Sequence, residues 1–184
     1  MTLLVIGLIL FIGTHMLPSV PGVREAAVGS LGDKGYQGAY SLLSLVGMIL
    51  IVYGMGEAPE VVLWEAPEWA GIITLTLMPL AFIMITASFV PSSIKSITRH
   101  PMLWGVTIWA LAHLAANGDL ASLMLFSGLG LFSIIKILLI GAKKEPDLGD
   151  RMPLKNDIIL VVAGLAQFAL LLYFHEWVSG VGLL

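Results

Sequence analysis

Four histidines carry most of the reactive chemistry in this chain: His15, His100, His113 and His175. In hydrocarbon an ionisable side chain is costly, so one retained there marks a site by default. Neutral imidazole is also the commonest metal-binding side chain. His15 lies in the apolar N-terminal segment just before Pro18. It reads either as a helix-end imidazole bonded to a carbonyl or as a ligand to a metal or haem iron. His113 closes the run Trp109-Ala110-Leu111-Ala112-His113, with no charged residue within four positions. A buried neutral imidazole must find a partner. That partner is a Ser or Thr of a neighbouring helix, or iron bound axially. His100 belongs to Arg99-His100-Pro101 at the start of the same apolar segment. A helix N-terminus beside an arginine suits an anion: a haem propionate, a cofactor carboxylate or a lipid phosphate. The plainer alternative has Arg99 and Lys95 reaching for headgroups. His100 and His113 are thirteen residues apart, about 140° around a helix, so the two cannot face one ligand from a straight helix. His175, beside Glu176 and Trp177, reads as interfacial.

Other chemistries are excluded or weak. The chain has no cysteine, which removes disulfides, iron–sulfur clusters, covalent CxxCH haem and a thiolate nucleophile. Glu57, Glu60, Glu65 and Glu68 fall on an outer loop with the spacing of a solvated acidic stretch. No Ser–His–Asp set, paired carboxylates, Walker loop or GxGxxG motif is present. Gly32, Gly35 and Gly38 bracket a turn and supply backbone freedom rather than a phosphate cradle.

The elements that hold these residues follow from composition. Of 184 residues, 58% are hydrophobic and 11% charged, with a net charge of −3; an average soluble domain carries about 25% charged residues. Mean hydropathy is +0.98. A soluble globule, a disordered chain and a nucleic-acid binder are excluded, each needing more polar or basic surface. Six apolar segments stand out: Thr2–Leu17, Ala39–Met55, Ala70–Val90, Met102–Ala116, Ala121–Ile140 and Ile158–Phe174. A lipid span needs about 20 apolar residues, and helices satisfy their own backbone in lipid. The expectation is an all-α integral membrane bundle of six transmembrane helices, forming one domain over residues 1–184. The apolar N-terminus has no positive n-region or cleavage site and reads as a retained first span.

Charge placement orients the bundle. Arg24 and Lys34 follow the first span, Lys95 and Arg99 the third, and Lys143, Lys144, Arg151 and Lys155 the fifth, with Lys136 near that span's end. The opposite side carries Glu57, Glu60, Glu65, Glu68, Asp119 and Glu176, with no Lys or Arg. The positive-inside rule then puts both termini outside, which in a bacterium is the periplasmic side of the inner membrane. Trp64, Trp69 and Trp177 suit an outer aromatic belt, Tyr36 and Tyr40 an inner one. Pro101 suits a first helical turn and pushes His100 out of the helical region. In Asn117-Gly118-Asp119, Gly118 suits a left-handed helix end and Asp119 the next N-cap. Pro79 predicts a kink in the third span.

These motifs resemble the NnrU family of bacterial membrane proteins. The resemblance lies in Ile97-Thr98-Arg99-His100-Pro101-Met102 with Gly105, in Trp109-Ala110-Leu111-Ala112-His113, in Asn117-Gly118-Asp119, in Leu31-Gly32-Asp33-Lys34-Gly35-Tyr36, in Tyr40-Ser41-Leu42 and in His15. It covers about residues 1–140 and is weak beyond Gly141. The family name is linked to denitrification. The family includes a plant 15-cis-ζ-carotene isomerase, an integral membrane haem b protein whose histidines in the first and fourth spans are implicated as ligands. The resemblance therefore implies haem b held by His15 and His113, with Arg99 and His100 at its propionates. The activity implied is redox or nitric-oxide-linked, or cis–trans isomerisation of a lipophilic polyene. Two family features are missing: Tyr53-Gly54-Met55-Gly56 contains no histidine, and Ala110 stands where the plant enzyme has cysteine. A ligand switch through either residue has no counterpart in this chain.

Counting along the helices from opposite faces puts His15 and His113 about 10 Å apart in depth, at ~1.5 Å per residue. That offset suits a haem lying nearly parallel to the membrane; His15 with His100 is the second choice, for an upright haem. Two other classes of function stay open. One is a non-enzymatic factor that binds lipid or a partner. The other is an S-adenosylmethionine-dependent methyltransferase, suggested by Arg-His-Pro at a span mouth. The usual aromatic residue after that proline and the Glu pair are replaced by Met102-Leu103 and Glu145-Pro146-Asp147.

Overall fold

A computed structural model describes residues 1–141 and 152–183. Lys143, Lys144, Arg151 and the segment Glu145-Pro146-Asp147 lie outside the described residues. Eight helices follow in order: α1 (Thr2–Met16), α2 (Val23–Gly56), α3 (Glu68–Thr86), α4 (Ser93–Thr98), α5 (Pro101–Ala116), α6 (Leu120–Gly141), α7 (Leu154–Tyr173) and α8 (His175–Ser179). Five segments are long and apolar enough to cross a membrane: α1 with the short 3-10 turn after it, α2, α3, α6 and α7. The sixth apolar helix, α5, has 16 residues. The protein is an all-α membrane bundle, as its six apolar segments require.

Neighbours in space are not always neighbours in sequence. The packing order runs α2–α1–α6–α5–α3–α7. Thus α6 stands between α1 and α5, the two helices that carry His15 and His113. One core joins Leu4, Leu8, Ile51, Ala110, Ala121, Leu125 and Phe126; a second joins Met78, Ala81 and Ala112. Outward-facing side chains are strongly apolar: Ile72 is 70% exposed and Leu138 66%. A soluble protein could not sustain that surface, whereas lipid solvates it.

Small residues set the helix spacing, as packing in lipid favours. A Cβ on Gly54 would collide with the backbone nitrogen of Leu4. One on Gly105 would lie 2.7 Å from the Ala81 carbonyl oxygen, and one on Gly164 2.8 Å from Ile83 Cα. These contacts seat α2 on α1, α5 on α3 and α7 on α3.

Two local features depart from the sequence expectations. The stretch before the second span is helical from Val23, not a loop, and it breaks at Gly32 (φ 71°, ψ 165°). That backbone conformation needs glycine, and the break lets Arg24 lie 5.7 Å over the Tyr36 ring. Gly35 and Gly38 are simply helical. Gly118 is not a left-handed cap: Asn117 ends α5 in an extended conformation (φ −128°, ψ 116°). Gly118 instead presses against Trp64, where any Cβ would overlap the Trp64 carbonyl oxygen. Its own carbonyl accepts the Leu63 and Trp64 N–H groups at 2.7 and 3.1 Å, beside an antiparallel bridge between Val62 and Asp119. Asp119 does cap α6, accepting the Ser122 N–H at 2.9 Å. Pro79 lies inside α3 without interrupting it.

Candidate functional site

The last turn of α1 presents His15. Its Nδ1 lies 2.8 Å from the Phe11 carbonyl oxygen, one turn back. A carbonyl can only accept, so Nδ1 carries the proton and Nε2 keeps the lone pair. The ring is walled by Phe11 (4.2 Å between centroids), Tyr40 (5.3 Å) and Phe132 (6.0 Å), from α1, α2 and α6 respectively. Lys136 of α6 donates from Nζ to the His15 carbonyl oxygen at 2.8 Å and to the Ser19 hydroxyl.

His113 repeats the arrangement on α5. Nδ1 donates to the Trp109 carbonyl oxygen at 2.9 Å, so here too Nε2 is the basic nitrogen. The ring stacks on Phe126 at 4.8 Å and meets Trp109 at 5.3 Å. The partner is its own helix, not the Ser or Thr of a neighbour that the sequence suggested. Thr74 of the third span reaches α5 one residue earlier, at the Ala112 carbonyl oxygen (2.9 Å). Asn117 Nδ2 donates to the His113 carbonyl oxygen at 2.8 Å. His175 lies 62 positions further on, at the start of α8. Its own Nδ1 bonds forward to the Val181 carbonyl oxygen at 2.8 Å, closing α8.

Arg99 and His100 form a third centre, at the corner between α4 and α5. Arg99 has φ 50° and ψ −46°, and the His100 N–H donates to the Thr98 carbonyl. This is a three-residue γ-turn of the positive-φ hand, a rare and strained conformation for a non-glycine residue. His100 lies outside the helical region (φ −129°, ψ 63°) and Pro101 opens α5, as the motif predicted. Partial burial, then the Arg99 guanidinium beside it, hold the His100 imidazole below the usual histidine value.

Helix α6 connects the first two centres and measures their separation. Phe132 faces His15 and Phe126 faces His113. Six residues of helix correspond to about 9 Å of height, close to the offset counted from the sequence. His100 lies thirteen residues before His113 on the α4–α5 side, about 20 Å lower at the same rise. The four candidate residues thus occupy three levels rather than one pocket. Among the described residues no group of three or more His, Cys, Asp or Glu side chains forms a metal-ion site.

The donor chemistry at two of those levels fits an iron porphyrin. Each histidine offers a neutral Nε2 whose orientation is fixed by an Nδ1–H bond to a carbonyl, the outer-shell support that metal-bound imidazoles ordinarily have. The surrounding side chains are aromatic, as a flat apolar macrocycle requires. An open apolar recess of about 460 Å³ also lies at the outer ends of α7 and α8, lined by Leu170, Leu171, Phe174, Trp177 and Val178.

No curated protein and no solved structure matches the chain. The family model described as NnrU protein matches residues 3–183, extending the likeness past Gly141 through α7 and α8. The match takes in His15, Arg99, His100 and His113 together, and the chain belongs to the NnrU family.

Proposed function

We propose that this NnrU-family membrane protein binds haem b, with His15 and His113 as axial ligands. The observation that carries the reading is the family match over residues 3–183, which takes in both histidines; the Nδ1–H bonds to the Phe11 and Trp109 carbonyls are compatible with it. Each bond leaves Nε2 basic and aimed by its own helix. Arg99 and His100, about 20 Å below His113 at the other end of α5, supply a cation and a helix N-terminus suited to a carboxylate or phosphate. Haem b so bound would supply a one-electron couple in a low-dielectric setting. The role is redox chemistry linked to nitric oxide and denitrification. The second reading, which rests on the family resemblance, is haem-dependent cis–trans isomerisation of a lipophilic polyene. In either case the chain's own work is to orient two imidazoles, exclude water with Phe126, Trp109 and Phe132, and hold the apolar groups in register. The distribution of Lys and Arg supports residence in the bacterial inner membrane with both termini periplasmic.

The test is an absorption spectrum of detergent-purified protein, oxidised and dithionite-reduced, with a pyridine haemochrome assay. A bis-histidine b-type spectrum near one haem per chain is expected. It is lost in His15→Ala and His113→Ala and kept in His175→Ala. Protein that stays colourless after haem supplementation and reconstitution sinks the reading. Binding of lipid, and of S-adenosylmethionine with an Arg99→Ala control, is then measured instead.

A further inference from the structure

A lysine inside an apolar helix has a bland explanation: its stem lies in lipid while its ammonium reaches the headgroups. Lys136, in the last turns of the span Leu120–Ile140, behaves differently. Its Nζ points across the bundle to α1, donating to the His15 carbonyl oxygen at 2.8 Å and to the Ser19 hydroxyl. The last four carbonyls of a helix lack helical donors, and Pro18, just past the end of α1, has no N–H to offer. The ammonium also sits at the negative end of the α1 dipole, where a cation is favoured.

A second contact converges on the same residue. Phe132, one turn before Lys136 on α6, faces the His15 ring at 6.0 Å. Residues four apart share a helix face. One stripe of α6 therefore holds His15 twice, its ring through Phe132 and its backbone through Lys136. Among the described residues the donors that reach the His113 turn of α5 are the neutral Thr74 and Asn117.

We propose that Lys136 is the positioning residue for His15, fixing the height and direction of its imidazole and biasing the inner ligand electrostatically. The inference rests on the haem reading above and deepens it. A fixed positive charge beside one axial ligand favours the reduced, less positive iron. Losing that charge therefore favours the ferric state and lowers the midpoint potential.

The experiment is a redox titration and low-temperature EPR of purified, haem-loaded wild type, Lys136→Met, Lys136→Arg, Ser19→Ala and His15→Ala, with circular dichroism confirming helix content. Lys136→Met is expected to retain haem, to shift the ferric/ferrous ratio severalfold toward ferric at a fixed potential, and to broaden the low-spin EPR signal as the His15 ring loses its fixed direction. Lys136→Arg should restore the wild-type midpoint. Ser19→Ala, which removes one of the two contacts but no charge, should broaden the EPR signal and leave the midpoint nearly unchanged. A wild-type midpoint and EPR signal in Lys136→Met, together with ligand loss in His15→Ala, overturns this inference and leaves the haem reading standing. An unchanged spectrum in His15→Ala removes the ligand reading itself, and this inference with it. If Lys136→Met fails to fold, Ser19→Ala decides: an EPR signal identical to wild type counts against positioning through this contact.

Discussion

The centres around His15 and His113 share one local device and an aromatic surround, and differ in the donors that reach the end of each helix. Each imidazole donates from Nδ1 to a carbonyl four residues earlier, so each is aimed by its own helix. Around His15 the support is polar and long-range: a lysine from α6 grips the backbone at the end of α1. Around His113 the support is apolar and stacked, with Phe126 across the ring at 4.8 Å and Trp109 edge-on to that phenylalanine at 4.9 Å. The difference teaches how a bundle holds two similar groups at two depths. Near the headgroups a charged donor is affordable and useful. At the end of α5 the neutral donors Thr74 and Asn117 take that place, beside the stacked aromatic rings.

Breaking the inner centre at its foundation gives the largest effect. Gly54→Val places side-chain atoms where the Leu4 backbone lies, and a backbone cannot rotate away as a side chain can. The α1–α2 seam should open, taking Tyr40 away from His15, at a cost above the ~1–3 kcal/mol usual for overpacking. Thermal unfolding in detergent should show a marked loss of stability. Gly128→Ala, whose added Cβ would sit at an ordinary 3.6 Å from a Leu8 methyl group, should stay near wild type. Equal losses in the two variants would refute the close-approach argument.

The outer centre breaks through Phe126, which is 6% exposed. Phe126→Ala removes the stacked face of His113 and part of the first core. The expected loss is about 3 kcal/mol, the lower end of the buried-phenylalanine range, since lipid is as apolar as the contacts being removed. Because His15 keeps Phe11, Tyr40 and Lys136, the damage should fall on the His113 side. A haem-loaded sample should lose one axial ligand and become high-spin. A variant that stays fully low-spin would show that Phe126 is core filling alone.

The contrast also marks what a sequence can reveal. Uninterrupted apolar segments made the six helices legible, and steric rules for proline placed His100 outside α5 and Pro101 within it. Both histidines stood out as candidates by their isolation among apolar residues. Their partners were not. Lys136 and His15 are 121 positions apart, and only the α1–α6 contact joins them. Gly118 read as a turn glycine, yet its smallness answers to Trp64, 54 positions away, through a bridge between two outer loops. The helical start of α2 was missed because its exposed, mixed-polarity residues carry the composition of a loop, and only Gly32 marks where the chain must bend.

Two finer changes sharpen the comparison. Thr74→Val deletes the hydroxyl that tethers α3 to the Ala112 carbonyl, the outer counterpart of the lysine grip on His15. Interhelical hydrogen bonds of this kind average about 0.6 kcal/mol in membranes, so a small drop in thermal midpoint is expected, with the His113 bond to Trp109 intact. A loss as large as that of Phe126→Ala would mean that the outer centre, too, depends on a polar tether.

The smallest effect concerns the third centre, where acidity replaces mutation as the lever. Partial burial and then Arg99 hold His100 below the ordinary histidine value of 6.5. Between 6.5 and the lower folded value the unfolded chain binds more protons than the folded one. Linkage then makes stability rise with pH across that window and fall as pH drops through it. The thermal midpoint of wild type should therefore decline more between pH 7.5 and pH 5.5 than that of His100→Gln, which cannot take up the proton. Identical slopes would remove His100 as the group responsible. A steeper wild-type slope would show that the strained Arg99 turn holds an uncharged imidazole at the mouth of α5, so that Arg99 supplies the only positive charge in the motif near neutral pH. An anion bound at this corner would then meet a cation from Arg99 and a neutral hydrogen-bond donor from His100.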